Sequence, residues 1–84
     1  MFKKRTSIEK LTLANGKVLI ERTEHRQIYK VVKIAKNVNY EALGRAIELG
    51  DLVVCDEYMY SNSIKLNDKE YFIIRPKAIA GYFA

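Results

Sequence analysis

The chain has little of what most enzymes and secreted domains rely on. Its 84 residues include one cysteine, one proline, one histidine, four glycines and no tryptophan. A single cysteine, Cys55, excludes an internal disulfide framework and suits a reducing compartment. It stands in Leu52-Val53-Val54-Cys55, where a small buried hydrophobe is expected rather than a nucleophile or ligand. The one histidine, His25, has no cysteine or carboxylate pair beside it at ligand spacing, so no metal site is expected. There is no Gly-rich phosphate loop and no nucleophile motif, so neither a catalytic residue nor a cofactor is expected. Asp51, Asp56, Glu57, Asp68 and Glu70 fall at turns and strand ends, a routine place for short polar side chains. No apolar run approaches the roughly 18 residues that span a membrane. The start, Met1-Phe2-Lys3-Lys4-Arg5, is basic but leads into no apolar signal core. The expected setting is the cytoplasm, or a virion if the chain belongs to a particle assembled inside a cell.

What is present describes one folded domain. A hydrophobic fraction of 49% with 30% charged residues argues against disorder. The length allows one core, so residues 1–84 are read as a single domain with residues 1–7 as a basic N-terminal arm. A domain this small buries a modest fraction of its surface, and pairing with copies of itself would add burial. The net charge is +5, concentrated partly in Lys3, Lys4 and Arg5. That arm either frays in solvent or contacts an acidic partner.

The segments read mostly as strands. Residues 8–13 carry apolar side chains at Ile8, Leu11 and Leu13 and are read as extended. Asn15-Gly16 signals a turn, because this pair readily adopts positive φ. Val18-Leu19-Ile20 comes next as a strand. Residues 28–35 are rich in Val, Ile and Tyr, and both faces of that strand are largely apolar. Within residues 37–49, Tyr40, Leu43 and Ile47 recur at helical spacing, Asn39 can cap a start, and Gly44 interrupts. One helical turn or an ordered loop is expected there. Gly50-Asp51 turns into a strand over residues 52–56, and residues 64–66 and 70–75 form a hairpin about Asn67-Asp68. Pro76 opens a short helical turn over residues 77–80, and Gly81-Tyr82-Phe83-Ala84 extends beyond it. Several short strands with turn signals every 8 to 12 residues or so predict an all-β small barrel with one or two short helical turns. An OB-fold, an SH3-like barrel and a co-chaperonin barrel all fit.

From Gly50 onward the chain resembles the GroES co-chaperonin family. Gly50-Asp51-Leu52-Val53-Val54 is similar to that family's Gly-Asp-apolar-Val-apolar strand entry. Asp56-Glu57-Tyr58-Met59-Tyr60 matches its acidic, Tyr-containing turn, and Ile64 to Ile74 its hairpin. Pro76-Lys77-Ala78-Ile79-Ala80 resembles its short turn before the last strand. Upstream, Gly16 to Arg22 and Lys30 to Ala35 resemble its first barrel strand and the strand after its mobile loop. The resemblance implies a GroES-like β-barrel. It does not extend to the long, Gly-containing loop with an apolar tip by which that family grips a chaperonin. Here only Thr23-Glu24-His25-Arg26-Gln27-Ile28-Tyr29 joins Arg22 to Lys30, too short for a mobile arm.

Three functions fit this pattern. The first is a non-enzymatic assembly module: a co-chaperonin-like barrel in a homo-oligomer or a larger protein assembly, such as an accessory protein of a phage particle. The resemblance implies subunit contacts through the chain ends, here Ile8, Leu11 and Leu13 with Ile79, Tyr82 and Phe83. An apolar terminal strand left unpaired invites another chain for reasons independent of any family; the alternative is that these same residues close the barrel within one subunit. The second is a working co-chaperonin that contacts its chaperonin through the shortened loop (His25, Arg26, Gln27, Ile28) or the central loop (Tyr40, Leu43, Ile47). The third is a nucleic-acid-binding barrel using Tyr58, Tyr60 and Tyr71 as stacking platforms. Against the third, Asp56 and Glu57 sit beside the first two tyrosines and would repel phosphate, and Tyr71 belongs to an apolar run.

Overall fold

The computed structural model describes residues 7–55 and 63–83. The fold is mainly β. Six strands form one antiparallel sheet: β1 (Val18–Arg22), β2 (Ile28–Ile34), β3 (Leu52–Cys55), β4 (Ser63–Leu66), β5 (Lys69–Ile74) and β6 (Ile79–Tyr82), in the order β4-β5-β1-β2-β3-β6. Among the described residues no ladder joins β4 to β6. No described helix is long and apolar enough to cross a membrane.

Local chemistry explains the order of elements. Asn67 and Asp68 both take positive φ (52° and 66°), the conformation a two-residue turn needs to match the twist of β4 and β5. The β1–β2 link is held by Thr23, whose hydroxyl donates to the Ile28 carbonyl at 2.6 Å and accepts from the His25 amide at 3.1 Å. Gln27 reverses the chain at φ 67°. The 37–49 stretch makes a single turn: the Leu43 and Gly44 amides both donate to the Tyr40 carbonyl at 3.0 Å. Asn39 caps it, its side-chain oxygen accepting from the Glu41 amide at 2.8 Å. Gly44, at φ 80°, ends it in a conformation that side chains with a Cβ resist.

One core runs through the sheet. Val18, Ile20, Tyr29, Val31, Val53, Cys55, Phe72, Ile74 and Ile79 point to a single side, with Ile47 inserted from the loop. Cys55 is a fully buried member of this cluster. Tyr29 and Phe72 meet edge to face, ring centroids 5.4 Å apart. Among the described residues the 38–47 loop and the 3-10 turn Pro76–Ala78 also pack on it.

A bulge accounts for the two apolar faces of residues 28–35. Leu19 pairs with Lys33 but Ile20 pairs with Val31, leaving Val32 as the extra residue. Inward positions therefore switch from Tyr29 and Val31 before the bulge to Ile34 after it.

Several strand limits shift by one or two residues from those expected of the sequence, and two segments differ in kind. Residues 8–13 join no strand: Ile8–Lys10 is a 3-10 turn closed by the Lys10 amide on Ser7 and the Leu11 amide on Ile8. The three-residue spacing of Ile8 and Leu11 suits that turn better than a strand's alternation. The Lys33 ammonium then donates to the Glu9 and Leu11 carbonyls, so a side chain, not a ladder, ties this segment to the sheet. At the other end the helical turn is Pro76–Ala78, and Ile79 and Ala80 already belong to β6.

Candidate assembly surface

Alternation along each strand separates inward from outward side chains. In β2 and β3, Tyr29, Val31, Val53 and Cys55 face the core, so Ile28, Lys30, Leu52 and Val54 face away. The register sets Ile28 opposite Val54 and Lys30 opposite Leu52. On the far side, Val54 pairs with Gly81 and Val53 with Tyr82. The Phe83 amide donates to the Leu52 carbonyl at 3.0 Å, which places Phe83 beside Leu52. Two outward rows result, Ile28–Val54–Gly81 and Lys30–Leu52–Phe83. Lys30 carries the only charge in them.

The largest apolar exposures gather here. Among the described residues the exposed large hydrophobics are Leu49 (66%), Leu52 (40%) and Phe83 (49%). Leu49 sits on the turn closed by the Asp51 amide on the Glu48 carbonyl at 3.1 Å, which leads directly into Leu52. The Asp51 carboxylate holds this turn, accepting from the Glu48 amide at 2.9 Å and from Arg45 at 3.0 Å. The Arg45 guanidinium lies over the Tyr82 ring, 4.6 Å from its centroid.

β6 borders this surface as an edge of the sheet. Its ladder to β3 shifts between Val54 and Cys55, with Ala80 as the extra residue. From Ile79 to Phe83 the edge carries no charged side chain. An edge strand presents backbone donors and acceptors on its open side, and charge is the usual guard against pairing with another chain.

The residues singled out from sequence land in different places. Ile28 and Phe83, on different segments of the chain, share one outward face. His25, Arg26 and Gln27 are exposed on the short β1–β2 link, next to Ile28. Tyr82 is half-buried against the core. Ile79 is 6% exposed and Ile47 3%: both point into the core, so neither offers a surface to a partner. Tyr40 and Leu43 are half-buried and pack on the core as a roof. Ile8, Leu11 and Leu13 are half-buried on a segment that Lys33 ties to the sheet, and none of them belongs to the Lys30–Leu52–Phe83 row. Tyr71 is 6% exposed, which removes it as an open stacking platform. Tyr58, Tyr60, Asp56 and Glu57, and the basic Lys3, Lys4 and Arg5, lie outside the described residues. Leu49 and Leu52 are surface residues that sequence reasoning misses. Leu52 looks like one more member of an apolar strand, and only the register shows it facing out.

Among the described residues no group of three or more His, Cys, Asp or Glu side chains is arranged to hold a metal ion. No protein-family model matches the chain, and no curated protein matches it either.

Proposed function

We propose that this chain is a co-chaperonin-like β domain that works by assembly rather than catalysis, joining copies of itself through β6. The observation that carries the reading is an uncharged edge strand bordered by the exposed pair Leu52 and Phe83. A second copy can add a strand to β6 through main-chain hydrogen bonds and cover both side chains at once. The tethered link over residues 23–27 supports the same reading: it is short and pinned at Thr23, unsuited to reaching a distant ring. An accessory place in a larger shell, such as a phage particle, is a setting that would use such contacts.

Light scattering on the eluting peak of a size-exclusion column tests the proposal. The wild-type chain is expected to run as an oligomer and the Leu52→Lys/Phe83→Lys double variant as a monomer. Circular dichroism on the double variant should still report the β fold, since both side chains already face solvent. A monomeric wild type at tens of micromolar, or an unchanged mass in the double variant, sinks the reading.

A further inference from the structure

At one end of the sheet three connections meet around a cleft of about 770 Å³. The turn before β1 contributes Asn15 and Lys17, the loop after β2 contributes Asn37 and Glu41, and the β5–β6 turn contributes Arg75 and Lys77. Three cations thus face one carboxylate. The described ion pairs, Arg22–Glu70, Arg45–Asp51 and Lys69–Glu21, include none of the four. The cleft lies apart from the β6 edge in lining and in chemistry, so a ligand held there does not depend on assembly.

Its walls are built before any ligand arrives. The Gly16 amide donates to the Lys36 carbonyl at 2.8 Å and the Ala35 amide to the Lys17 carbonyl at 3.0 Å, which locks the first two connections together. Gly16 takes φ 82° and Asn37 φ 59° to make this junction. The third wall is the buried ring of Pro76, with the Ala78 amide donating to the Arg75 carbonyl at 2.9 Å. Such a frame lowers the ordering cost of binding.

We propose that this cleft binds a small phosphorylated sugar or polyol. Lys17, Arg75 and Lys77 supply the charge for phosphate oxygens, Arg75 with a planar fork that suits them. One carboxylate ligand would not need three cations, whereas a bisphosphate would. The Asn15 and Asn37 amides and the Glu41 carboxylate offer the mixed donors and acceptors that hydroxyl groups need. The volume falls within the usual range for small-molecule sites. Among the described residues no aromatic side chain lines the cleft, so none there stacks a base, which favours a sugar phosphate over a nucleic-acid strand.

Amide-detected NMR titration of the full chain with fructose 1,6-bisphosphate tests this. Saturable shifts confined to residues 15–17, 37–41 and 75–77 are expected. Arg75→Gln and Lys77→Gln, both at exposed positions, should each weaken binding by about tenfold or more. Lys10→Gln, outside the cleft, should leave it unchanged, and a thermal melt confirms that all three variants fold. No saturable shift at millimolar ligand overturns the site, as does binding indifferent to Arg75→Gln and Lys77→Gln. Equal affinity for inorganic phosphate overturns the sugar assignment, and tighter binding of oligo-dT at the same residues replaces it with a nucleic-acid site.

Discussion

The two edges of the sheet are built differently. β4 and its hairpin are rich in charge: Lys65 lies on the edge, Lys69 and Glu70 come just after the turn, and these last two pair with Glu21 and Arg22 of β1. The Arg22 guanidinium also covers the Tyr29 and Phe72 rings at 5.7 and 5.4 Å, closing that end of the core. β6 has neither charge along it nor ion pairs among its described side chains, and the exposed Leu52 and Phe83 lie beside it. An arriving strand would have to desolvate ammonium and carboxylate groups at β4, a cost of several kcal/mol per ion when they end up unpaired. At β6 it would cover apolar surface instead, a gain of about 25 cal/mol per Å². Among the described residues the sheet is guarded by charge at one edge and uncharged at the other.

The largest effect comes from the core shared by the two halves of the sheet, β4-β5-β1 and β2-β3-β6. Phe72 is fully buried in β5, yet its cluster reaches Ile79 in β6. Phe72→Ala should cost about 3–5 kcal/mol, comparable to the whole stability of a domain this size. Urea unfolding monitored by circular dichroism should show both halves lost in one transition. Separate transitions would mean that the halves do not depend on each other. Next is the direct test of the contrast. Ala80→Lys puts on β6 the kind of charge that β4 already carries, at an exposed bulge position. It should shift the association midpoint toward monomer by about tenfold in concentration, less than the Leu52→Lys/Phe83→Lys pair does. Sedimentation velocity over a concentration series reads it, and an unmoved midpoint would assign the contact to another surface.

How much of this is legible in the sequence depends on how local the cause is. The Asn67-Asp68 turn and the cap at Asn39 are decided by a few adjacent residues, and both can be placed from sequence. The N-terminal segment cannot, because the tie that holds it is Lys33, more than twenty residues away and charged. The apolar symmetry of residues 28–35 hides a bulge, since one inserted residue exchanges the faces and periodicity averages over both. Ile47 and Ile79 carry the same apolar signature as Phe83, and only the register separates inward from outward. The candidate surface is half visible: Ile28 and Phe83 stand out in the sequence, but their common face exists only because β3 lies between β2 and β6. The basic cleft is invisible there, because Lys17, Arg75 and Lys77 converge only when the sheet forms.

Smaller effects sharpen the picture of the guarded edge. Asp68 holds φ 66°, a conformation that glycine adopts without a Cβ penalty, and Asn-Gly is the preferred pair for this turn. Asp68→Gly should therefore stabilise the β4–β5 hairpin by roughly 0.5–1 kcal/mol, read as a rise in the urea midpoint with unchanged slope. A fall in that midpoint would mean that the Asp68 carboxylate does more than occupy the turn.

The ion pairs beside that hairpin should matter least to folding. Lys69 reaches Glu21 at 3.5 Å with its side chain 60% exposed, so solvent screens most of the attraction. Lys69→Ala should change stability by no more than about 0.5 kcal/mol. If these charges serve the edge rather than the fold, their removal should show elsewhere. Lys65→Val with Lys69→Ala should leave the melt nearly unchanged while promoting association through β4 at high protein concentration. A destabilised but still well-behaved double variant would reverse the assignment, making the charges part of what holds the sheet and leaving β4 protected by its shortness alone.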